Sequence, residues 1–147
     1  MPRVEDISTS DPHQSSFAPA MDAMGLPIGA QLKLITNPLA LIQLAKAWGE
    51  LEQTCHIPPT VFQSYDWIKT WADIHLAPQS NQELFIVAGY MGDRLVYIMP
   101  LARSKRRGLR LLTWLSRPIA QYGDILCDKS IDPETWKDEE RKVIKKP

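Results

Sequence analysis

Apolar residues recur along this chain with helical spacing in two segments. In the first, residues 37–53, they lie three or four positions apart, which places them on one face of a helix: Leu41, Leu44, Ala45, Trp48 and Leu51. In the second, which begins at Ser64, the apolar stripe consists of Trp67, Ile68, Trp71, Ile74 and His75. Asn37 and Ser64 can each cap the exposed amides of a helix N-terminus. The pattern therefore predicts two amphipathic helices, whose tryptophans look like core residues.

Other segments are rich in residues that favour β-strands. Residues 31–36 alternate polar and apolar side chains at their start, as a half-buried strand does. Residues 83–90 and 94–101 are joined by Met91-Gly92-Asp93, a short glycine-containing connection of the kind that antiparallel hairpins favour. We expect residues 109–116 to continue this hairpin as a third antiparallel strand.

The two ends of the chain differ from its middle. Residues 1–29 are rich in Ser, Pro, Asp and Ala without a sustained period, so we expect a disordered leader. Residues 30–130 form the predicted domain, in which residues 119–127 hold one more short strand or an extended loop. Residues 131–147 are expected to be a truncated helical tail, a polar helix that starts near Asp132 and Pro133. The order strand, helix, helix, then three or four consecutive strands predicts an α+β fold.

Composition and charge narrow the function classes. With 147 residues, of which 44% are hydrophobic and 23% charged, the chain has the make-up of one ordinary globular domain. Its formal net charge is zero, so no global field attracts nucleic acid or an anionic membrane. The N-terminus lacks the features of a signal peptide and no stretch is long enough to span a bilayer, so we expect a cytoplasmic protein without membrane insertion. Cys55 and Cys127 lack the spacing of a zinc or redox site, which indicates free structural thiols.

A local cluster of positive charge lies between residues 103 and 117, without an acidic residue. It consists of Arg103, Lys105, Arg106, Arg107, Arg110 and Arg117. A solvated hairpin turn explains the cluster most simply, and a surface for a phosphate-bearing ligand or an acidic partner is the alternative. Nucleic-acid binding calls for interleaved aromatic residues, of which Trp114 is the only nearby candidate, so we expect no nucleic-acid partner. His13, His56 and His75 have no partners at metal-ligand or catalytic spacing, and we predict no metal site and no catalytic residue.

Five short motifs, taken in order, resemble one bacterial family. They are Trp48-x-x-Leu51-Glu52, Phe62-Gln63-Ser64-x-x-Trp67-x-x-x-Trp71, Met99-Pro100-Leu101, Arg106-Arg107-Gly108-Leu109 and Gln121-Tyr122-Gly123-Asp124-x-Leu126. Together they cover about residues 31–128 and resemble the N-terminal half of the CelD-like proteins. That family is associated with cellulose or other exopolysaccharide biosynthesis, and it belongs to the GNAT-type acyltransferases, near the FemAB-like proteins.

The resemblance implies a partial GNAT-like (acyl-CoA N-acyltransferase) domain, an antiparallel meander sheet with two helices packed on it. It implies acyl transfer from acyl-CoA to an amine or hydroxyl, in a chain more than twice this length whose second half binds the acyl-CoA. The string nearest to the GNAT pyrophosphate loop, residues 105–110, ends in Arg110 and leads into a predicted strand, whereas the loop needs a helix N-terminus. We therefore expect no cofactor site in this chain and no independent turnover.

Under the same resemblance, five residues are candidate contacts to the acyl acceptor: Gln63, Trp67, Trp71, Tyr122 and Asp124. A tight turn explains Tyr122-Gly123-Asp124 nearly as well as a site does. The expected partner is a separate C-terminal GNAT half or another protein, and the chain is either a functional truncation or the product of a truncated gene. The alternative function is a non-catalytic protein-interaction module that docks through the basic turn.

Overall fold

The helices form where the apolar spacing and the caps predict them, with one break. The computed structural model describes residues 29–119 and 123–145. Its helices are α1 (Pro38–Gln43), α2 (Ala45–Thr54), α3 (Tyr65–His75) and α4 (Lys137–Lys145), with short 3-10 turns at Val61–Gln63 and Pro133–Trp136. The single helix predicted over residues 37–53 is divided at Leu44 into α1 and α2.

Side-chain caps fix the start of two helices. The side chain of Asn37 accepts a hydrogen bond from the amide of Leu39, 2.8 Å away, and Pro38 occupies the first turn, where no donor is lost. The hydroxyl of Ser64 accepts from the amide of Trp67 at 3.3 Å. Both caps were predicted from the sequence and both are confirmed.

Five strands make one antiparallel sheet in the described part of the chain. They are β1 (Ala30–Ile35), β2 (Gln82–Met91), β3 (Arg94–Arg106), β4 (Leu109–Trp114) and β5 (Leu126–Cys127). Their order is β1-β2-β3-β4, and β5 pairs with β3 next to the start of that strand. The predicted hairpin of β2 and β3 is confirmed, with Met91 opposite Arg94 across the turn. β4 continues it as the predicted third antiparallel strand.

Both faces of the sheet are covered. Alternate residues of β2 point to opposite faces: Leu84, Ile86 and Ala88 pack with the apolar sides of α1, α2 and α3, while Phe85 and Val87 belong to a second cluster. That second cluster includes Trp136, which is fully buried, and Val143 and Ile144 of α4. The expectation of two helices on the sheet was therefore incomplete, because the C-terminal helix also packs on it.

Gly89 lies in the middle of β2 because neighbouring side chains approach its backbone closely. A Cβ atom at this position would lie 2.8 Å from the Cβ of Tyr97 and 3.2 Å from the indole ring of Trp136. Those two rings stack with their centroids 5.6 Å apart. Glycine is therefore the residue that lets Trp136 close the second face of the sheet.

Two of the sequence predictions fall outside the described residues. They are the leader, apart from Gly29, and the side chain of Tyr122. The described helices include none that is long and apolar enough to cross a membrane.

Candidate functional site

The candidate residues lie in two separate places. Trp67 and Trp71 line one cavity beside α3, and Gln63 and Asp124 line another near the end of α2. The fifth candidate, Tyr122, lies outside the described residues. The structure therefore does not gather the predicted set into one site, and each cavity has to be judged by its own chemistry.

The first cavity, which we call the indole pocket, has a volume of about 220 Å³. Its walls are Trp67, Thr70, Trp71, Ile74 and His75 of α3, together with Ile119. The α3 residues line it together because positions three and four apart lie on one side of a helix. An apolar cavity of about 150 Å³ suffices to bind benzene in another protein, so this one is large enough for a small ring.

The apolar stripe predicted on α3 is only partly buried in the core. Ile68 is fully buried and Trp71 is 6% exposed, but the side chain of Ile74 is 66% exposed. Ile119 is also an exposed apolar residue. The outer part of the stripe forms a wall of the pocket.

Two indole N–H groups in this pocket have no hydrogen-bond partner in the described structure. The Nε1 atoms of Trp67 and Trp71 are both buried from solvent. A buried donor without a partner costs about 1–3 kcal/mol, and such groups are uncommon enough to need an explanation. Ser116 Oγ and Trp136 Nε1 are also without partners, but neither residue lines this cavity. Both tryptophans that line the indole pocket carry such a donor.

Neighbouring rings hold the pocket walls in place. Trp71 and His75 lie with their ring centroids 4.9 Å apart and their planes tilted by 34°. On its other side, Trp67 meets the ring of Phe62 edge-on at 5.1 Å. Ring pairs at these distances are favourable, so these neighbours support the pocket walls.

The second cavity brings together both cysteines, but the thiols are protonated. Its volume is about 180 Å³, and it is lined by Cys55, His56, Ile57, Gln63, Asp124, Ile125, Cys127 and Pro133. Burial raises the pKa of Cys127 to about 11, and burial also raises the pKa of Cys55. The thiolate is the reactive form of cysteine, so neither residue is an activated nucleophile. Both cysteines are free.

Gln63 and Asp124 have structural partners in this cavity. The side-chain oxygen of Gln63 accepts from the amide of Thr60 at 2.9 Å, and its main-chain carbonyl accepts from Trp48 Nε1 at 3.1 Å. Asp124 accepts from the amide of Ile125 at 2.8 Å and is exposed. Within the described residues, no group of three or more histidine, cysteine or acidic side chains is placed to hold a metal ion.

A buried carboxylate that the sequence analysis missed ties three elements together. Asp128, 2% exposed, accepts from the hydroxyl of Thr54 at 2.7 Å, from Arg94 at 3.1 Å, and from the amide and hydroxyl of Ser130 at 2.9 and 2.5 Å. We call this set the Asp128 clasp. The local signal for it was Asp128-Lys129-Ser130, since Asp commonly bonds the backbone two residues ahead.

The Asp128 clasp links the end of α2 to β3 and β5. Burial by itself raises the pKa of Asp128, but the hydrogen bonds from Ser130 and Thr54 and the charge of Arg94 lower it, and the net pKa lies below the ordinary value. The carboxylate is therefore ionised and fully engaged. That arrangement stabilises the fold and leaves no oxygen for a substrate.

The basic cluster lies on β3, β4 and the segment that follows. Arg103 donates to Glu83 at 2.6 and 3.0 Å, and this hydrogen bond is the main reason that the pKa of Glu83 is lowered. Among the described residues, the other five cations form no salt bridge: Lys105, Arg106, Arg107, Arg110 and Arg117. Residues 105–110 form the tip of the β3–β4 hairpin, in which only Arg107 and Gly108 lie between the strands, so no helix N-terminus follows them. The turn is shorter than the predicted one over residues 104–108, because β3 continues to Arg106.

Comparison with known proteins finds no matching family model, no similar curated protein and no similar solved structure. The resemblance to the CelD-like proteins therefore stays a prediction.

Proposed function

We propose that this chain is the binding half of a GNAT-type acyltransferase, which holds the acyl acceptor and leaves acyl-CoA binding to a second half. The order of its elements supports the proposal. A strand, helices on one face and an antiparallel meander follow one another as expected for the first half of such a protein. Proteins of the α+β class have many unrelated functions, so the proposal depends on the residues of the site.

The observation that carries the proposal is that Trp67 and Trp71, which line one cavity, each carry a buried indole N–H without a partner among the described residues. Since both N–H groups are closed to solvent in this structure, a small rotation of the rings is part of the proposed binding. An amine or hydroxyl compound brings lone pairs that can accept from such donors, and its carbon skeleton can pack on the aromatic walls. The donors then gain the hydrogen bonds they lack. This half of the protein orients the acyl acceptor and contributes no nucleophile or base.

The string nearest to a pyrophosphate loop, residues 105–110, lies in a β-hairpin, which supports the expectation that acyl-CoA binds elsewhere. A pyrophosphate loop instead uses the free amides at the start of a helix. We therefore assign acyl-CoA binding, and with it the transfer step, to a separate C-terminal GNAT half. A link to exopolysaccharide biosynthesis follows from the family resemblance and is part of this proposal.

Calorimetry with two acyl-acceptor probes tests the proposal. Glucosamine serves as the amine probe and cellobiose as the hydroxyl probe, each titrated into the wild-type chain and into Trp67→Phe and Trp71→Phe. At least one probe is expected to bind, and each substitution should weaken it about tenfold, as for the loss of one hydrogen bond of about 1.4 kcal/mol. Trp48→Phe is the matched control, because the N–H of Trp48 already bonds to Gln63.

Two results would contradict the proposal. The first is tight binding of acetyl-CoA by the isolated chain, which would place a cofactor site within it. The second is probe affinity that is the same in both pocket variants and in Trp48→Phe, which would remove the indole pocket from binding.

A second candidate function is a non-catalytic interaction module that docks on an acidic partner. The five cations without a salt bridge favour it. Such binding would weaken steeply with salt, because exposed charges are screened within about 10 Å at 0.1 M salt. Acceptor binding in the indole pocket would be nearly insensitive to salt, so the two candidates are separable.

A further inference from the structure

A cleft at the outer end of the sheet, which we call the β4 cleft, is rich in hydrogen-bond donors. Its volume is about 380 Å³, and its lining residues are Asn81, Gln82, Ser104, Lys105, Arg106, Leu111, Thr113, Arg117 and Pro118. Three of these are cations, two carry hydroxyl groups and two carry amides, while none is acidic. A second depression, which contains the Arg103–Glu83 ion pair, shares Asn81, Ser104 and Lys105 with it.

Three cations of the β4 cleft have no salt-bridge partner in the described part of the chain. Arg103 is paired with Glu83, but Lys105, Arg106 and Arg117 form no salt bridge with any described residue. The fields of Lys105 and Arg110 reach Glu83, where they add to the lowering of its pKa by Arg103. A concentration of positive charge in a concave site raises the local concentration of anions.

Two features of the β3–β4 hairpin lower its stability. Lys105 lies directly opposite Arg110 in the β3–β4 register, and like charges opposite each other destabilise a sheet. Arg107 has a φ of 51° and Gly108 a φ of 80°, a two-residue turn in which the first position favours Asn, Asp or Gly. Positions where a sequence breaks such local rules are often functional.

We propose that the β4 cleft binds the dianionic phosphate group of a small phosphorylated molecule. Arg106 and Arg117 offer planar forks that match phosphate oxygens. Lys105 precedes Arg106 on β3, so its side chain leaves the opposite face of the sheet and contributes to the cleft only through its field. Ser104 and Thr113 contribute hydroxyl donors, while Leu111 and Pro118 provide apolar contact for the rest of the molecule. The inference does not rest on the proposed acyltransferase function, since it involves different residues.

Amide chemical shifts in a phosphate titration test this site. Phenyl phosphate and inorganic phosphate replace chloride at constant ionic strength while the backbone amide spectrum of the chain is followed. Saturable shifts are expected at Ser104, Lys105 and Thr113. Arg106→Gln should weaken binding about tenfold, the effect of losing a hydrogen bond to a charged group. Lys46→Gln, which removes the same charge from an exposed site on α2, should change nothing.

Lys105→Thr separates a phosphate site from a solvated turn. Removing Lys105 relieves its repulsion with Arg110, and Thr suits a strand, so the thermal midpoint without phosphate should stay equal or rise while phosphate affinity falls. Unchanged phosphate affinity in Lys105→Thr and Arg106→Gln would overturn the proposal. So would shifts that grow linearly and spread over the whole surface, or stronger binding of polyglutamate than of either phosphate, which would indicate an acidic protein partner.

The outcome is independent of the test of the indole pocket. Arg106 lies on β3 and does not line the indole pocket, so Arg106→Gln should leave the affinity for glucosamine and cellobiose unchanged. Trp71→Phe should likewise leave phosphate binding unchanged.

Discussion

The Asp128 clasp and the indole pocket both bury polar side-chain atoms, but they differ in whether those atoms have partners. In the clasp, one carboxylate accepts from the hydroxyl of Thr54, the guanidinium of Arg94, and both the amide and the hydroxyl of Ser130. The two tryptophans of the indole pocket, Trp67 and Trp71, carry buried N–H groups that have no partner among the described residues.

The difference separates a structural role from a binding role. Burial of a satisfied polar network fixes how secondary-structure elements meet, which is what the Asp128 clasp does for α2, β3 and β5. Burial of unsatisfied donors lowers stability unless something else bonds to them. A cavity next to those donors has room for a ligand that does so.

The largest effect is expected from Asp128→Ala. This substitution leaves Thr54, Arg94 and Ser130 without their shared partner, so it should lower the free energy of unfolding by about 3 kcal/mol. Urea denaturation measures the change. Asp124→Ala is the control, since that exposed carboxylate bonds, among the described residues, to the amide of Ile125, and it should cost less than about 1 kcal/mol. Equal costs for the two substitutions would contradict a structural role for Asp128.

A smaller effect of the Asp128 carboxylate on stability should appear at acidic pH. Because its native pKa lies below the ordinary value of 3.8, the ionised Asp128 stabilises the fold above that value. The contribution is lost as the pH falls through the lower native pKa. Urea midpoints measured over a series of acidic pH values should therefore fall more steeply for the wild type than for Asp128→Asn. Parallel curves would show that this carboxylate is not held ionised by the clasp.

The smallest effect compares two buried tryptophans. Trp48→Phe removes ring volume and also the hydrogen bond from Nε1 to the carbonyl of Gln63, whereas Trp71→Phe removes ring volume alone. Trp48→Phe should therefore cost about 1 kcal/mol more than Trp71→Phe in urea denaturation. If Trp71→Phe were the more costly, its N–H would have a partner in solution and the pocket argument would fail.

The sequence predicted elements that depend on local patterns. The hairpin around Met91-Gly92-Asp93, the caps at Asn37 and Ser64 and the core positions of α2 all follow from spacing and turn chemistry, and all are confirmed. No glycine or proline marks the break at Leu44, so the apolar periodicity predicts one continuous helix where the structure has α1 and α2.

Features that depend on distant contacts could not be predicted in the same way. The clasp joins Asp128 to Arg94, which lies 34 positions earlier in the chain, and to Thr54, which lies 74 positions earlier. The C-terminal helix looks polar from the sequence, since its charged residues outnumber Val143 and Ile144, yet these two pack with Trp136 on the second face of the sheet. For the candidate site, the sequence indicated Trp67 and Trp71, but their shared lack of a partner is visible only in the fold.

The most direct test of the central claim is the indole N–H spectrum of the chain during titration with glucosamine and cellobiose. The sequence has five tryptophans, and Trp48 serves as an internal reference because its N–H already has a partner. If the acceptor binds in the indole pocket, the indole signals of Trp67 and Trp71 shift together and saturate with at least one probe, while that of Trp48 stays in place. Signals of Trp67 and Trp71 that do not move, or that move no more than Trp48, would contradict it.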